Sequence, residues 1–302
     1  MSTAHHPRSV EEVADIVRAT AATGAALRVR AAGTWMDVGL PVRATGTLDL
    51  SALRGVHVYT PDDLTISVGA ATTIAELEET THAHEQWCPL LPWGDDTGTV
   101  GATVATATTG PFADALGRPR DLVIGLECVD GTGRIIRAGG RVVKNVAGFD
   151  LTRLMTGQWG TLGVITALHL RLRARPVVDE TFALSCGAES DAALLAFTRG
   201  PYAPLACVPL ARVPLAAARV TDGARWLIRV GGNRTLVDAA YARLSALGAT
   251  ERVDHEVWHV VRRGAAPAAR ANLWRWDALS QRMKERFDPA RVLNRGLLGD
   301  PS

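Results

Sequence analysis

The sequence has no CxxC pair, no run of Lys or Arg, no long apolar stretch and no internal repeat, and each absence removes a class of function. Four widely spaced cysteines, Cys88, Cys128, Cys186 and Cys207, supply neither a zinc ribbon nor an iron–sulfur ligand set. Buried free thiols in a reducing cytoplasm are the expectation. A formal net charge of +2 over 302 residues is too small for a nucleic-acid footprint. No apolar run reaches membrane length, so no membrane span is expected, and Met1–Arg8 lacks the apolar core of an export signal. The location read from this is cytoplasmic, or peripheral to the inner membrane through partners. No strand is followed by GxGxxG and no Walker A GKS or GKT occurs, so a nucleotide cofactor must be held another way.

What is present is an ordinary globular composition, 47% apolar and 21% charged, in a chain long enough for two domains. Ser9 with Glu12 forms a capping box, and Val10, Val13, Ile16 and Val17 recur at helical spacing until Gly24. Leu27–Arg30 reads as the strand that follows. Leu64, Ile66 and Val68 alternate after a Pro61-Asp62-Asp63 turn, ahead of a helix capped by Thr73 and Glu76. Residues 122–138 read as a hairpin around Asp130-Gly131. A strand follows in which Leu168, Leu170 and Leu172 alternate with His169, Arg171 and Arg173. Composition shifts after Pro176. Beyond it come a strand near Phe182–Ser185, a helix after Asp191, a strand Trp226–Val230, a helix from Thr235 to Leu247, and helical spacing from Arg270 to Phe287.

Two loops are free of bulk. The first runs Arg30, Ala31, Ala32, Gly33, Thr34, Trp35, Met36, Asp37, Val38, Gly39, and the second runs from Asp96 through Thr97, Gly98, Thr99, Val100, Gly101 and Ala102 to Gly110-Pro111. Gly-rich turns expose backbone N–H groups that converge on a diphosphate, and small side chains let it approach.

In order, the AAGTWMDVG loop, the GTVGATVATATTGP loop, RPRD at 118–121, the hairpin, GGRVVKNVAGFDLTRLMTGQWGTLGVIT at 139–166 and FDPARVLNRG at 287–296 resemble the FAD-binding domain of the vanillyl alcohol oxidase superfamily, also called PCMH-type. Within it, KNVAGFDLTRL and GTLGVIT are most similar to the glycolate oxidase FAD-binding subunits. The likeness covers residues 9 to about 180 well and the C-terminal thirty weakly.

That resemblance implies an α+β protein: an FAD domain of two α/β subdomains over 1–178, a small α+β cap over 179–269, and a C-terminal helix over 270–302 returning to the first domain. It also implies non-covalent FAD. Ala31, Ala32, Gly33, Thr34 and Trp35 would wrap the diphosphate. Thr97, Gly98, Thr99, Gly101 and Ala102 would close on the phosphates and flavin, with Ala105 and Thr106 along the ring system and Val164 and Ile165 against the adenine. Some relatives attach the flavin through a His in the first loop, where this chain has Thr34. Ala31 and Ala32 stand where relatives commonly have Gly, and a positive φ at either would cost about 1–2 kcal/mol. Arg295 replaces the usual Pro of the C-terminal ending, which puts the return of that segment in question.

The implied activity is oxidation of a 2-hydroxy acid to a 2-oxo acid within a glycolate oxidase-like complex whose partners are a larger FAD subunit and an iron–sulfur subunit. Such chemistry needs a cation near the flavin, another for the substrate carboxylate, and a base. Lys144 and Asn145 are candidates for the first; Arg118, Arg120 and Arg141 are candidates for the second. No base is identified, and the GDGNxH-like block of metal-dependent relatives is absent. A rival reading is a non-catalytic scaffold or regulatory subunit that keeps the flavoprotein fold. His255, Glu256 and His259 spell HExxH, the zinc protease pattern, but the valines between them favour strand as much as helix, and a structural reading is preferred.

Overall fold

A computed structural model describes residues 3–140, 150–212, 223–264 and 277–299. The chain opens with β1 (Thr3–His5), α1 (Val10–Ala22), β2 (Leu27–Arg30) and β3 (Gly46–Asp49), and the three strands form a parallel sheet in the order β1-β3-β2. Ser9 Oγ accepts from Glu12 N at 3.2 Å. The Glu12 carboxylate takes the Arg8 amide at 2.8 Å instead of returning to Ser9, so the capping box is half made. Val13, Ala14 and Val17 share the buried face of α1 and pack with Leu27, Leu48 and Leu50. Burying each such side chain contributes about 1.5–3 kcal/mol. Gly24, at φ +69°, ends the helix in the left-handed conformation that glycine adopts without strain.

The second layer begins with β4 (Val56–Thr60), β5 (Thr65–Gly69), α2 (Ile74–His82), β6 (Gln86–Trp87), α3 (Val100–Thr106), α4 (Ala113–Leu116) and α5 (Pro119–Leu122). It continues with β7 (Val123–Asp130), β8 (Ile135–Gly139), α6 (Leu151–Met155), β9 (Gly163–Arg171) and β10 (Arg173–Ala174). Five of these strands form an antiparallel sheet in the order β4-β5-β9-β7-β8. Thr73 and Glu76 make the full reciprocal box at the start of α2. The β7–β8 hairpin turns over four residues, because the buried Asp130 carboxylate collects the Thr132 amide at 2.9 Å and the Arg134 amide at 3.1 Å.

β10 still pairs with β6, whereas β11 (Val178–Ser185) starts a new sheet. After β11 come α7 (Asp191–Thr198), β12 (Ala206–Pro209), β13 (Trp226–Gly232), α8 (Arg234–Ser245), β14 (Ala249–Val253) and α9 (Val257–Gly264). The four strands are antiparallel in the order β12-β13-β11-β14. One face packs Phe182, Leu184, Ile228 and Val230 against Val237, Ala240 and Leu244 of α8. The other face, through Ala183, Ala206, Val208 and Leu227, shares a core with Trp87, Phe112 and Trp258. This second unit is therefore docked on the first by apolar burial.

The chain then passes through α10 (Ala278–Phe287) and returns to β2. Leu27 N donates to Val292 O at 2.7 Å, and Asn294 N donates to Leu27 O at 3.0 Å. Lys284 and Asp288, both buried, anchor the return. Lys284 Nζ reaches Asp288 Oδ2 at 2.7 Å and Thr161 O at 2.8 Å, while the Asp288 carboxylate receives the amides of Val292 and Leu293. Arg295 does not block the return. Its guanidinium donates to the carbonyls of Gly24 and Arg291, which replaces the stiffness of a proline with hydrogen bonds. No helix among the described residues is long and apolar enough to cross a membrane.

Candidate functional site: a cleft between two glycine loops

The first loop leaves the end of β2 and is tightened by Met36 N to Gly33 O at 3.2 Å and Val38 N to Trp35 O at 3.3 Å. Gly33 lies at φ +80°, and a methyl group there would touch only Met36, so the position is free on its cleft side. Ala31 and Ala32 are absent from the residues with positive φ. The strain expected of them does not arise.

The second loop enters α3. Asp95 accepts from Thr97 N at 2.8 Å, and Thr99 caps α3 by accepting from Ala102 N at 3.2 Å. Gly101 must be glycine because a methyl group would lie 2.7 Å from both Cβ and O of Ala70. At Gly98 a methyl group would lie 3.7 Å from Thr34 Oγ1. The two loops, more than sixty residues apart in the chain, are thus side by side.

The third wall is the segment before β9. Gln158 closes its turn by donating to Gly163 O at 2.9 Å and accepting from Leu162 N at 2.9 Å. Trp159, at φ +57°, donates its amide to Ala105 O at 2.7 Å. Asn294 joins this wall to β2, accepting from Val29 N at 2.8 Å and donating to Trp159 O at 2.9 Å.

Together these walls enclose a cleft of about 120 Å³. Ala31, Ala32, Gly33, Thr34, Trp35, Thr99, Gly101, Ala102, Ala105, Thr106, Val164 and Ile165 all line it, whereas Thr97 and Gly98 do not. Arg28, Trp159, Gln158 and Asn294 line it too, and sequence reasoning missed them. Only the alternating cation in Leu27–Arg30 hinted at Arg28.

No Asp or Glu is among the described residues that line the cleft, while Arg28 and Arg30 both do. Arg30 is neutralised by Asp49, with Nη2 at 2.7 Å from Oδ2. Burial works to raise the pKa of Asp49, but hydrogen bonds from Ser51 and Arg30 outweigh it and hold the carboxyl below its usual range. Arg28 donates to the Met36 carbonyl, a neutral partner, and no Asp or Glu among the described residues that line the cleft balances its charge.

Residues 3–139 match the FAD binding domain family. They belong to it. The chemistry of the lining suits that cofactor: small residues stand where a diphosphate would approach, and Arg28 lines the cleft with no Asp or Glu among the described lining residues. Over 79% of its length the chain is 31% identical to glycolate oxidase subunit GlcE of Escherichia coli (strain K12), covering 64% of that protein. It is 29% identical to a D-lactate dehydrogenase of Archaeoglobus fulgidus over 74% of its length, covering 51% of that protein. The chain therefore spans about half to two thirds of these relatives. The solved structure of an alkyldihydroxyacetonephosphate synthase superposes with a TM-score of 0.68 over 86% of this chain and 55% of its own, at 18% identity, which shows the fold.

The residues considered for catalysis are not gathered here. Arg118 and Arg120 are exposed and face Asp114 at 3.9 Å and Asp121 at 3.8 Å, away from the cleft. Arg141, Lys144 and Asn145 lie outside the described residues. The HExxH histidines diverge. His255 precedes α9 and contacts Thr181 Oγ1 at 3.0 Å and Asp179 O at 2.7 Å, whereas His259 contacts Asp96 Oδ2 at 3.0 Å. Burial pushes the thiols of Cys88 and Cys128 up to about 12.

Proposed function

We propose that the cleft holds one FAD non-covalently and that the chain is a flavin-bearing subunit of a glycolate oxidase-like complex that oxidises a 2-hydroxy acid to its 2-oxo acid. The observation that carries the reading is a cleft lined by Gly33, Thr34, Thr99 and Gly101 together with Arg28, with no Asp or Glu among the described residues that line it. Gly33, Thr34 and Thr99 would hold the diphosphate, Arg28 would balance its charge, and Val164 and Ile165 would border the adenine. No His or Cys lines the cleft among the described residues, which favours non-covalent binding. Bound FAD supplies the hydride acceptor. The names of the similar proteins, glycolate oxidase subunits and D-lactate dehydrogenases, support a 2-hydroxy acid as substrate. Without a cluster-ligand pattern of its own, the chain would pass electrons to a partner, a larger flavin subunit or an iron–sulfur subunit.

One observation favours the rival scaffold reading: Trp35 and Trp159 meet edge to face among the residues that line a cleft of only about 120 Å³. Titrating the purified chain with FAD separates the two readings. Stoichiometric binding supports the flavoprotein, and a protein that stays colourless sinks it. Anaerobic mixing of the loaded chain with glycolate or D-lactate then tests the substrate class, bleaching of the flavin colour being the expected result.

A further inference from the structure

α9 carries a buried cation whose partners all lie in the segment that leads into the second glycine loop. Arg262 is 2% exposed, and its Nε donates to Pro92 O at 2.9 Å. Its Nη2 lies 2.5 Å from Asp96 Oδ1, an ion pair rather than an aligned hydrogen bond. One helical turn earlier, His259 Nδ1 contacts the other carboxylate oxygen of Asp96 at 3.0 Å. The backbone adds to this grip, since Gly94 N donates to Arg262 O at 2.9 Å. From the opposite side, Ala75 N donates to Asp96 O at 3.2 Å and Ile74 N to Gly98 O at 2.9 Å. Residues 92–98 are thus clamped between α9 and α2, immediately before Thr99 caps α3.

We propose that Arg262 and His259 are positioning residues for flavin binding, acting through Asp96 to hold residues 92–98 so that the wall from Thr99 to Thr106 is set against the cofactor. This rests on the reading of the cleft as an FAD site. It makes α9, which lies outside the residues that match the FAD binding domain, part of what that domain needs. An ion pair at the seam of two units holds its geometry only while both charges are in place, and loss of one leaves the other charge in a largely buried place without its counter-ion.

The two contacts differ in what they require. Arg262 is charged at every accessible pH, whereas His259 has a raised pKa, first through its hydrogen bond to Asp96 and then through the charges of Asp96, Glu78 and Glu256, against an opposing effect of burial. The charged groups around it are Asp96 on the loop, Glu78 on α2, and Glu256, Arg262 and Arg263 on and beside its own helix, with Arg263 facing Asp95 at 3.4 Å. A raised pKa means that the protonated contact is complete at low pH and lost as pH rises through the raised value.

The test is FAD titration of the full apoprotein across pH, read by quenching of flavin fluorescence, with circular dichroism as the control for folding. Arg262→Met and Asp96→Asn are expected to weaken FAD binding about ten-fold or more, and the double variant to be no worse than the weaker single, as for two residues acting as a unit. Arg262→Lys should recover part of the loss. His259→Gln should abolish the fall in affinity that the wild type shows as His259 deprotonates. If Arg262→Met does not fold, Asp96→Asn and His259→Gln carry the test. Folded variants that bind FAD like the wild type at every pH overturn the inference and leave the FAD site standing. A wild type that binds no FAD sinks the reading of the cleft, and the inference with it.

Discussion

The side-chain amide of Asn294 donates to the carbonyl of Trp159 at 2.9 Å, tying the end of the described chain to a cleft wall 135 residues earlier. The same side chain accepts from Val29 N, and Trp159 meets Trp35 edge to face with ring centroids 5.7 Å apart. Trp159 has the left-handed φ that bulky residues avoid at a cost of about 1–3 kcal/mol, and Asn294 holds it there. One residue therefore braces β2, the third wall and both indoles.

Asn294→Ala strands the Val29 amide and the Trp159 carbonyl. A buried unpaired group costs about 1–3 kcal/mol and the part-buried Val29 amide less, so a loss of about 2–4 kcal/mol is expected in chemical denaturation. FAD affinity should fall with it. Unchanged stability would show that solvent or another group takes over both bonds.

Lys284→Met leaves the Asp288 carboxylate, which is 0% exposed, without its cation. Breaking a buried pair in this way costs about 3–5 kcal/mol. The denaturation midpoint should drop well below that of a surface control such as Arg18→Met.

Gly101→Ala forces a methyl group to within 2.7 Å of Ala70, and Gly160→Ala places one 2.5 Å from Asn294 Nδ2 at a φ of +67°. Overpacking of this kind costs about 1–3 kcal/mol. Both variants should bind FAD more weakly than Gly24→Ala, which meets nothing within 4 Å and carries only the backbone strain. Equal affinity in all three would separate the glycines from the cleft.

Acid should destabilise the protein through Asp49 and Asp96. Burial acts to raise both pKa values, but for Asp49 the hydrogen bonds from Ser51 and Arg30 prevail, and for Asp96 the His259 bond and the Arg262 charge prevail, so both are held below the usual carboxylate range. A depressed carboxyl contributes stability that is complete above its unfolded pKa and is lost as pH falls through the folded one. In Arg30→Gln the loss should begin at higher pH. Denaturation curves collected down to low pH check this.

The buried thiols give a chemical readout. With burial holding Cys88, Cys128 and the half-buried Cys207 at about 12, each should resist a thiol reagent in the native protein at neutral pH. Cys186, half-buried and raised less, should react first. Rapid labelling of all four thiols before unfolding would contradict the packing described.

Short-range features were legible in the sequence. The caps at Ser9 and Thr73, the alternation of Leu168, Leu170 and Leu172, and the small residues of the two loops each report a neighbour a few positions away. The HExxH pattern was legible only as a warning, since its two histidines serve different partners once Val257 starts the helix. Trp159 and Asn294 carried no local signal, because what makes them matter is each other, and Arg28 was hinted at only by the alternation of its strand.

The sequence by itself determined where helices begin, which strand faces turn inward, and that two stretches of backbone are kept free of bulk, because those properties arise from steric and hydrogen-bond preferences over a turn or two. Only the tertiary structure decided that Thr34 stands against Gly98, that Asn294 bridges Val29 and Trp159, and that Arg262 grips Asp96. Those contacts join residues tens to hundreds of positions apart, and their order in space follows from which apolar faces bury together, a global outcome that no local window contains.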